Sequence, residues 1–501
     1  MAGKGWFGLD FFAKDPQPKV VSCTLSGGGS RASFQLGALD YLYRHDDQFT
    51  PTIFVGTSAG SIIAGTLAQG GSNDEQYTYL RRLRSIWEGM RSSDDMFTPR
   101  PWYATLEQQG PTLMELMKPV KPEPQRPRQP LLQLPQLPQL PFRRQQQEPT
   151  RHEQLHGSEP NPLELALQPD EEIRSEWSLA SIGAMASALG KVRLGDLNAA
   201  AMGAERSRSM YRPGPVLAQL LDDEMFVPER VAASGMTLRV AMVSLETGEL
   251  RYMTETGQLV GRWNEHFDDH PRNLALGILA SCSIPAVFRP VPIGGETYVD
   301  GGARENLPAE LAIGHLGAAR NYVVSSQGLG VQHRASMAEA DLFAIVMRST
   351  EILIDEAGRD ELAYAHSTDA TVIHPELSVH DAMSVHPGLI DINAAYGWLR
   401  AAEEHLELGP DAEARHRRII ELRMRIVQLE EQYLALEEPT RRDVQRLRSA
   451  KVQLRDTVRS AHGIPLPDGA DEWWRQWERH PDPVVIDPPW LDHPEPSVAE
   501  T

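Results

Sequence analysis

Twice between residues 20 and 68 the sequence passes from a short apolar run, through a glycine turn, into a helix-forming stretch. VVSCTL, from residue 20, leads into Ser26-Gly27-Gly28-Gly29-Ser30-Arg31 and a helical pattern from about Ala32 to His45. TIFV, from residue 52, leads into Gly56-Thr57-Ser58-Ala59-Gly60 and the helix former AGSIIAGTLA. Strands and helices alternating at this interval bury their apolar faces by laying helices on a largely parallel sheet. Further on, LRVAMVSL and ELRYMTE flank Glu246-Thr247-Gly248, a strand–turn–strand pattern. TYV and NYVVSS then bracket a helix near residues 307–316. The expected fold is a three-layer α/β/α arrangement around a mixed, largely parallel central sheet.

A chain of 501 residues exceeds what one core usually organises, so a main domain with appendages is expected. The net charge of -20 argues against nucleic-acid binding and against simple adsorption to anionic lipid, both of which need clustered basic surface. Cys23 and Cys282 sit in apolar surroundings and suit neither a disulfide framework nor a zinc site. That points to a reducing compartment, the cytoplasm. The first residues contain no sustained apolar run with a cleavage site behind it, so no signal peptide is evident. Nowhere do 18 apolar residues run together, and any membrane contact is expected to be peripheral.

Two segments depart from the α/β pattern. Residues 118–172 are crowded with proline, glutamine and charge, with three Gln-Leu-Pro triplets at 133–141 that would set Leu134, Leu137 and Leu140 along one edge of a polyproline II helix. They read as a flexible surface insertion, with a docking site for lipid or a protein partner as the sharper alternative. Within residues 411–460, Ile419, Leu422, Ile426, Leu429, Tyr433 and Leu436 form a heptad seam. Pro439 interrupts it; Val444, Leu447, Leu454 and Val458 resume it, with Lys451 at a seam position. A helical hairpin closing on itself or on the main domain is expected, with homodimerisation or partner binding as the alternative. The tail, 461–501, holds Trp473, Trp474, Trp477 and Trp490 among prolines. Such residues pin a tail to its own protein more often than they enter a membrane interface.

Three motifs carry chemistry. Gly56-Thr57-Ser58-Ala59-Gly60 fits G-x-S-x-G between a strand and a helix, where a sharp turn projects a serine hydroxyl. The Ser26–Arg31 loop places consecutive glycine amides at a helix N-terminus, a setting that favours negative charge. The same loop fits the dinucleotide fingerprint G-x-G-x-x-A, with Asp46 and Asp47 near the ribose position, but that reading leaves the serine elbow unexplained. No Gly-Lys-Ser/Thr follows, which excludes a P-loop. The third motif, Tyr298-Val299-Asp300-Gly301-Gly302, sets a carboxylate at a strand end before two glycines.

The glycine loop with Arg31, the GTSAGS elbow, SCSIPAVFRPV, and DGG followed by Asn306 and Pro308 resemble the patatin-like phospholipase family in order and spacing across residues 18–405, outside the insertion. The resemblance implies a patatin-like domain that hydrolyses fatty acyl esters with a Ser–Asp dyad, no metal and no organic cofactor, on a lipid substrate met at a membrane or lipid surface. By position, Ser58 is the nucleophile and Asp300 the base. Gly28, Gly29 and Ser30 supply the oxyanion hole, supported by Gly27, Arg31, Gly56, Gly60, Gly301 and Gly302. Ala32 stands where the family usually has glycine. Two rival readings remain: a Ser–Asp–His α/β-hydrolase using one of the downstream histidines at 315, 333, 366, 374, 380 or 386, and a non-catalytic scaffold binding lipid or a partner. The α/β-hydrolase places several strands before its elbow, whereas Ser58 follows two.

Overall fold

The computed structural model describes residues 20–104 and 209–491, except 223, 269, 329–335 and 339–341. All of these but 101–104 belong to one unit of the chain. The insertion at 118–172 lies outside the described residues.

A ten-stranded sheet forms the centre. Its parallel half runs β12 (Thr371–Ile373), β11 (Arg320–Val324), β1 (Val21–Leu25), β2 (Ile53–Gly56) and β5 (Thr237–Ser244). From β5 the sheet continues antiparallel through β6 (Leu250–Thr254), β7 (Leu259–Val260) and β8 (His266–Asp268). A short separate pair, β3 (Phe97–Pro99) and β4 (Tyr211–Pro213), lies apart from it. Every residue of β1 and β2 is buried, the pattern of strands covered on both faces. The VVSCTL and TIFV runs, apolar without strict alternation, are what such strands require.

One register decides where the chemistry falls. The first half of β5 pairs with β2, Gly56 lying opposite Val240. Its second half pairs on the antiparallel strand β10 (Glu296–Asp300), itself hairpinned to β9 (Val291–Ile293), and Asp300 lies opposite Met242. The two strands therefore meet end to end along β5. The turn after Gly56 and the carboxylate closing β10 face each other across a gap of two β5 positions.

Helices cover this frame: α1 (Ser33–His45), α2 (Ala59–Leu67), α3 (Asn73–Gly89), the short α4 (Pro215–Leu220) and α5 (Pro228–Ala233), then α6 (Leu274–Ser281), α7 (Ala309–His315), the long α8 (Leu342–His366) and α9 (Pro387–Leu406). Helix α9 packs along α1, with Phe34 edge-on to Tyr396 and Tyr41 edge-on to Trp398 at centroid distances of 5.6 and 4.9 Å.

The heptad seam forms a hairpin of α10 (Pro410–Leu434) and α11 (Arg441–Arg459), the second started by a Thr440/Asp443 capping box. Ile419, Leu422, Ile426, Leu429, Leu447, Leu454 and Val458 share one core cluster with Trp474 and Trp490, while Trp473 and Trp477 pack against it. The seam is thus filled within a single chain, by the chain's own tail. Lys451 stays in it because its ammonium pairs with Glu430 at 2.8 Å, donates to the carbonyls of Trp473 and Gln476, and lies 4.4 Å from the Trp490 ring. Leu436 is 43% exposed, so the periodicity overran the seam at its end. No helix among the described residues is long and apolar enough to cross a membrane.

Candidate active site

Ser58 sits at the tip of the β2–α2 turn with φ 53 and ψ -127, in the left-handed region that side chains avoid. Holding a serine there costs on the order of 1–3 kcal/mol and needs a rigid surround. The surround is visible. A Cβ on Gly56 would lie 2.5 Å from the Gly60 carbonyl oxygen, and one on Gly60 2.5 Å from the carbonyl oxygens of Leu25 and Ser26. Both glycines are therefore demanded by backbone approach. The Ser58 amide donates to Ser281 Oγ at 2.9 Å, and its carbonyl accepts from Ser61 Oγ at 2.6 Å and from Cys282 Sγ at 3.4 Å.

The Ser58 hydroxyl and the Asp300 carboxylate line the same cavity, close enough for the hydroxyl to draw the carboxyl's pKa down. Asp300 Oδ1 accepts from the Gly302 amide at 2.7 Å, and its own amide donates to the Ser283 carbonyl at 3.0 Å. The segment Ser281-Cys282-Ser283 thus grips the backbone of both residues, a role that the sequence motif alone left unassigned. Asp300 is buried, and among the described residues no cation bonds to it. Burial pushes its carboxyl from the ordinary carboxylate range up to about 7, against the downward pull of the Ser58 hydroxyl and the Gly302 amide. A carboxyl in such an environment can take up or release a proton near neutral pH.

The glycine loop runs from β1 through a 3-10 turn, Gly29–Ala32, into α1. Among the described residues, the amides of Gly28 and Gly29 donate to no protein acceptor. Ser30 differs. Its amide donates to the Ala382 carbonyl at 2.9 Å, and its hydroxyl lies within reach of the carbonyls of Asp381, Ala382 and Ser384. Ser30 ties the loop to the segment before α9, so its expected part as an oxyanion donor is corrected: the amide is already spent. Gly27 is likewise engaged, donating to the Asn306 carbonyl at 3.0 Å.

Ser58, Asp300, Gly28, Gly29 and Gly302 share one cavity of about 430 Å³. Ile284, Pro285, Met337, Ile354 and Met383 give it apolar walls; Arg31, Asn306 and Gln327 add polar edges. Gly56, Gly60 and Gly301 shape the backbone rather than lining the space. Among the described residues no histidine hydrogen-bonds Ser58 or Asp300; His333 lies outside them. The histidine nearest the glycine loop, His380, has Nδ1 3.4 Å from Ser30 Oγ, and burial pushes its pKa down to about 4.

An elbow serine opposed by a carboxylate at the end of a mixed sheet defines a class of hydrolase-like folds. Over residues 24–313, more than half of its 501 residues, the chain matches the family model of patatin-like phospholipases, and it belongs to that family. Among solved structures it is similar to VipD from Legionella pneumophila, at 15% identity over 92% of this chain and 83% of that one, with a TM-score of 0.27. It is also similar to the heterodimeric ExoU–SpcU complex from the type III secretion system of Pseudomonas aeruginosa, at 13% identity over 91% of this chain and 68% of that one, with a TM-score of 0.22. No curated protein sequence matches it.

Proposed function

We propose that this chain is a serine acyl hydrolase that cleaves fatty acyl esters of phospholipids or related acyl lipids, with Ser58 as nucleophile and Asp300 as general base. The observation that carries this reading is a strained elbow serine sharing a cavity with a buried carboxylate that, among the described residues, has no bonded cation. Asp300 takes the hydroxyl proton as Ser58 Oγ attacks the ester carbonyl. The free amides of Gly28 and Gly29 receive the developing oxyanion. As the intermediate collapses, protonated Asp300 returns its proton to the departing alcohol or lysolipid, leaving an acyl-serine. Water then attacks the acyl carbon and gives its proton to Asp300. A second collapse frees the fatty acid and restores the Ser58 hydroxyl. The apolar walls of the cavity suit an acyl chain, and access to lipid is peripheral.

The test is covalent. A fluorophosphonate probe should label the wild-type protein at Ser58 and leave Ser58→Ala unlabelled, and turnover of a p-nitrophenyl acyl ester should disappear with the label. Labelling at another residue, with turnover kept in Ser58→Ala, would end the reading.

A further inference from the structure

The loop that follows the dyad aspartate, residues 305–307, touches every part of the site. Thr57 of the elbow donates its hydroxyl to the Glu305 carbonyl at 3.3 Å. Gly27 of the glycine loop donates its amide to the Asn306 carbonyl at 3.0 Å. The Asn306 side-chain oxygen sits where Gly27 and Gly302 have no Cβ; one placed there would lie 2.3 and 3.0 Å away. Asn306 Nδ2 reaches Gln327 Oε1 at 2.9 Å, on the cavity rim. A shift of this loop would therefore move the elbow, the glycine amides and the aspartate turn together.

One side chain from a distant part of the sequence holds it. Glu361, on α8, accepts the Asn306 amide on Oε1 at 3.1 Å and the Leu307 amide on Oε2 at 2.6 Å, so both carboxylate oxygens are engaged. The anchorage of α8 is firm at this end, where Leu362 and Ala365 pack with Leu307, Val323 and Val372. Further toward its N-terminus the same helix walls the cavity through Arg348, Thr350, Ile354 and Asp355. Glu361 is held at a cost. Burial and the neighbouring Glu305 carboxylate raise its pKa to about 8, while the two amides and Arg262 pull it down. Two adjacent amides call for two oxygen acceptors side by side at full side-chain reach, which the carboxyl group of a glutamate provides.

Resting on the reading of Ser58 and Asp300 as a dyad, we infer that Glu361 is a positioning residue: its carboxylate clamps the 305–307 loop and thereby fixes the spacing between the Ser58 hydroxyl, the Asp300 carboxylate and the Gly28 and Gly29 amides. It touches no reacting atom. Misplacement by about 1 Å at a reacting centre costs on the order of 10²-fold in rate, without requiring looser substrate binding.

The experiment compares wild type, Glu361→Ala, Glu361→Gln and Glu361→Asp, with Ser58→Ala as the control. Each is titrated with a fluorophosphonate for both the labelled fraction and the labelling rate, and kcat is expressed per labelled serine. Glu361→Ala should lower kcat and labelling rate together by about 10- to 100-fold, with KM changed little and labelling complete. Gln keeps one acceptor at full reach and should recover most of the loss. Asp keeps the charge but is one methylene short, and should recover less. If the Ala variant does not fold, the order Gln above Asp decides the matter. The clamp is overturned if kcat per labelled serine is unchanged in all folded variants, or if activity falls only in step with the labelled fraction, the outcome of a purely structural role. A wild type that takes no label at Ser58 would overturn the dyad instead, which separates the two failures.

Discussion

The sheet end that holds Ser58 and the C-terminal hairpin both bury carboxylates, and they put them to opposite uses. In the hairpin every buried acid has a cation. Glu430 meets Lys451 and His480, each at 2.8 Å, and Glu478 meets Arg423 at 2.8 Å, with the Trp473 ring 4.1 Å over the guanidinium. At the sheet end Asp300 is buried beside a hydroxyl and accepts from one amide, and among the described residues no cation bonds to it. A compensated buried charge holds a helix pair in register; an uncompensated one is poised to accept a proton. A buried carboxylate is neutralised by a cation in one place and left without one in the other because of what stands beside it.

The largest expected effect comes from removing the uncompensated charge. Asp300→Asn should lower turnover by about 10³-fold or more, the scale seen when a member of a catalytic unit is lost. The same change should raise thermal stability, because the folded carboxyl has its pKa raised to about 7 from the 3.8 of a free aspartate. A raised carboxylate pKa means that ionisation opposes folding. The advantage of the Asn variant should therefore be full above about pH 7 and shrink as the pH falls toward 4. Melting curves at pH 8 and pH 4.5 check it; an Asn variant that melts below wild type at pH 8 would break the contrast. In the wild type, kcat/KM should rise with pH through about 7 as Asp300 becomes ionised.

Removing a cation from the compensated region should do the reverse. Lys451→Met strands Glu430 and should cost about 3 kcal/mol, toward the low end for breaking a buried pair, because His480 and the Glu478 amide still bind that carboxylate. Urea unfolding measures the loss, and kcat per labelled serine should stay at the wild-type level. A fall in that quantity without a fall in stability would show that the hairpin takes part in the chemistry.

A smaller effect sharpens the boundary of the site. Gly29 has φ +56, and a Cβ there would lie 2.4 Å from the Ala382 carbonyl oxygen, so Gly29→Val should displace the amide. Turnover should drop by about 10²-fold, the usual scale for one oxyanion donor, with KM changed less. Ser30→Ala, by contrast, keeps the amide and removes only the hydroxyl ties to 381–384, and should retain most activity. Equal losses in the two variants would show instead that the hydroxyl ties of Ser30 to 381–384 are what hold the glycine amides in place.

Much of this was legible in the chain itself. Strand, glycine turn and helix repeat within residues 20–68, and the heptads of α10 and α11 give their period directly, because local spacing reports which face of an element is apolar. The elbow, the glycine loop and DGG were readable as motifs because each imposes a backbone shape that few residues tolerate. Four things were not. That Gly56 and Asp300 lie two β5 positions apart follows from a strand pairing between segments distant in sequence. That the Ser30 amide is unavailable follows from a carbonyl 352 residues later, at Ala382. What holds the seam lysine, Lys451, among apolar residues is a partner one helix away, at Glu430. And Glu361, within DEAGRDELAYAH, looks like any exposed helical acid until α8 is laid against the loop it holds. Periodicity and glycine placement are properties of neighbouring residues, so the sequence determined the elements and the candidate chemistry. Hydrogen-bond occupancy and the pairing of buried charges depend on groups brought together from far along the chain, so only the tertiary structure decided which glycine amides stay unbonded and which buried carboxylate lacks a cation among the described residues.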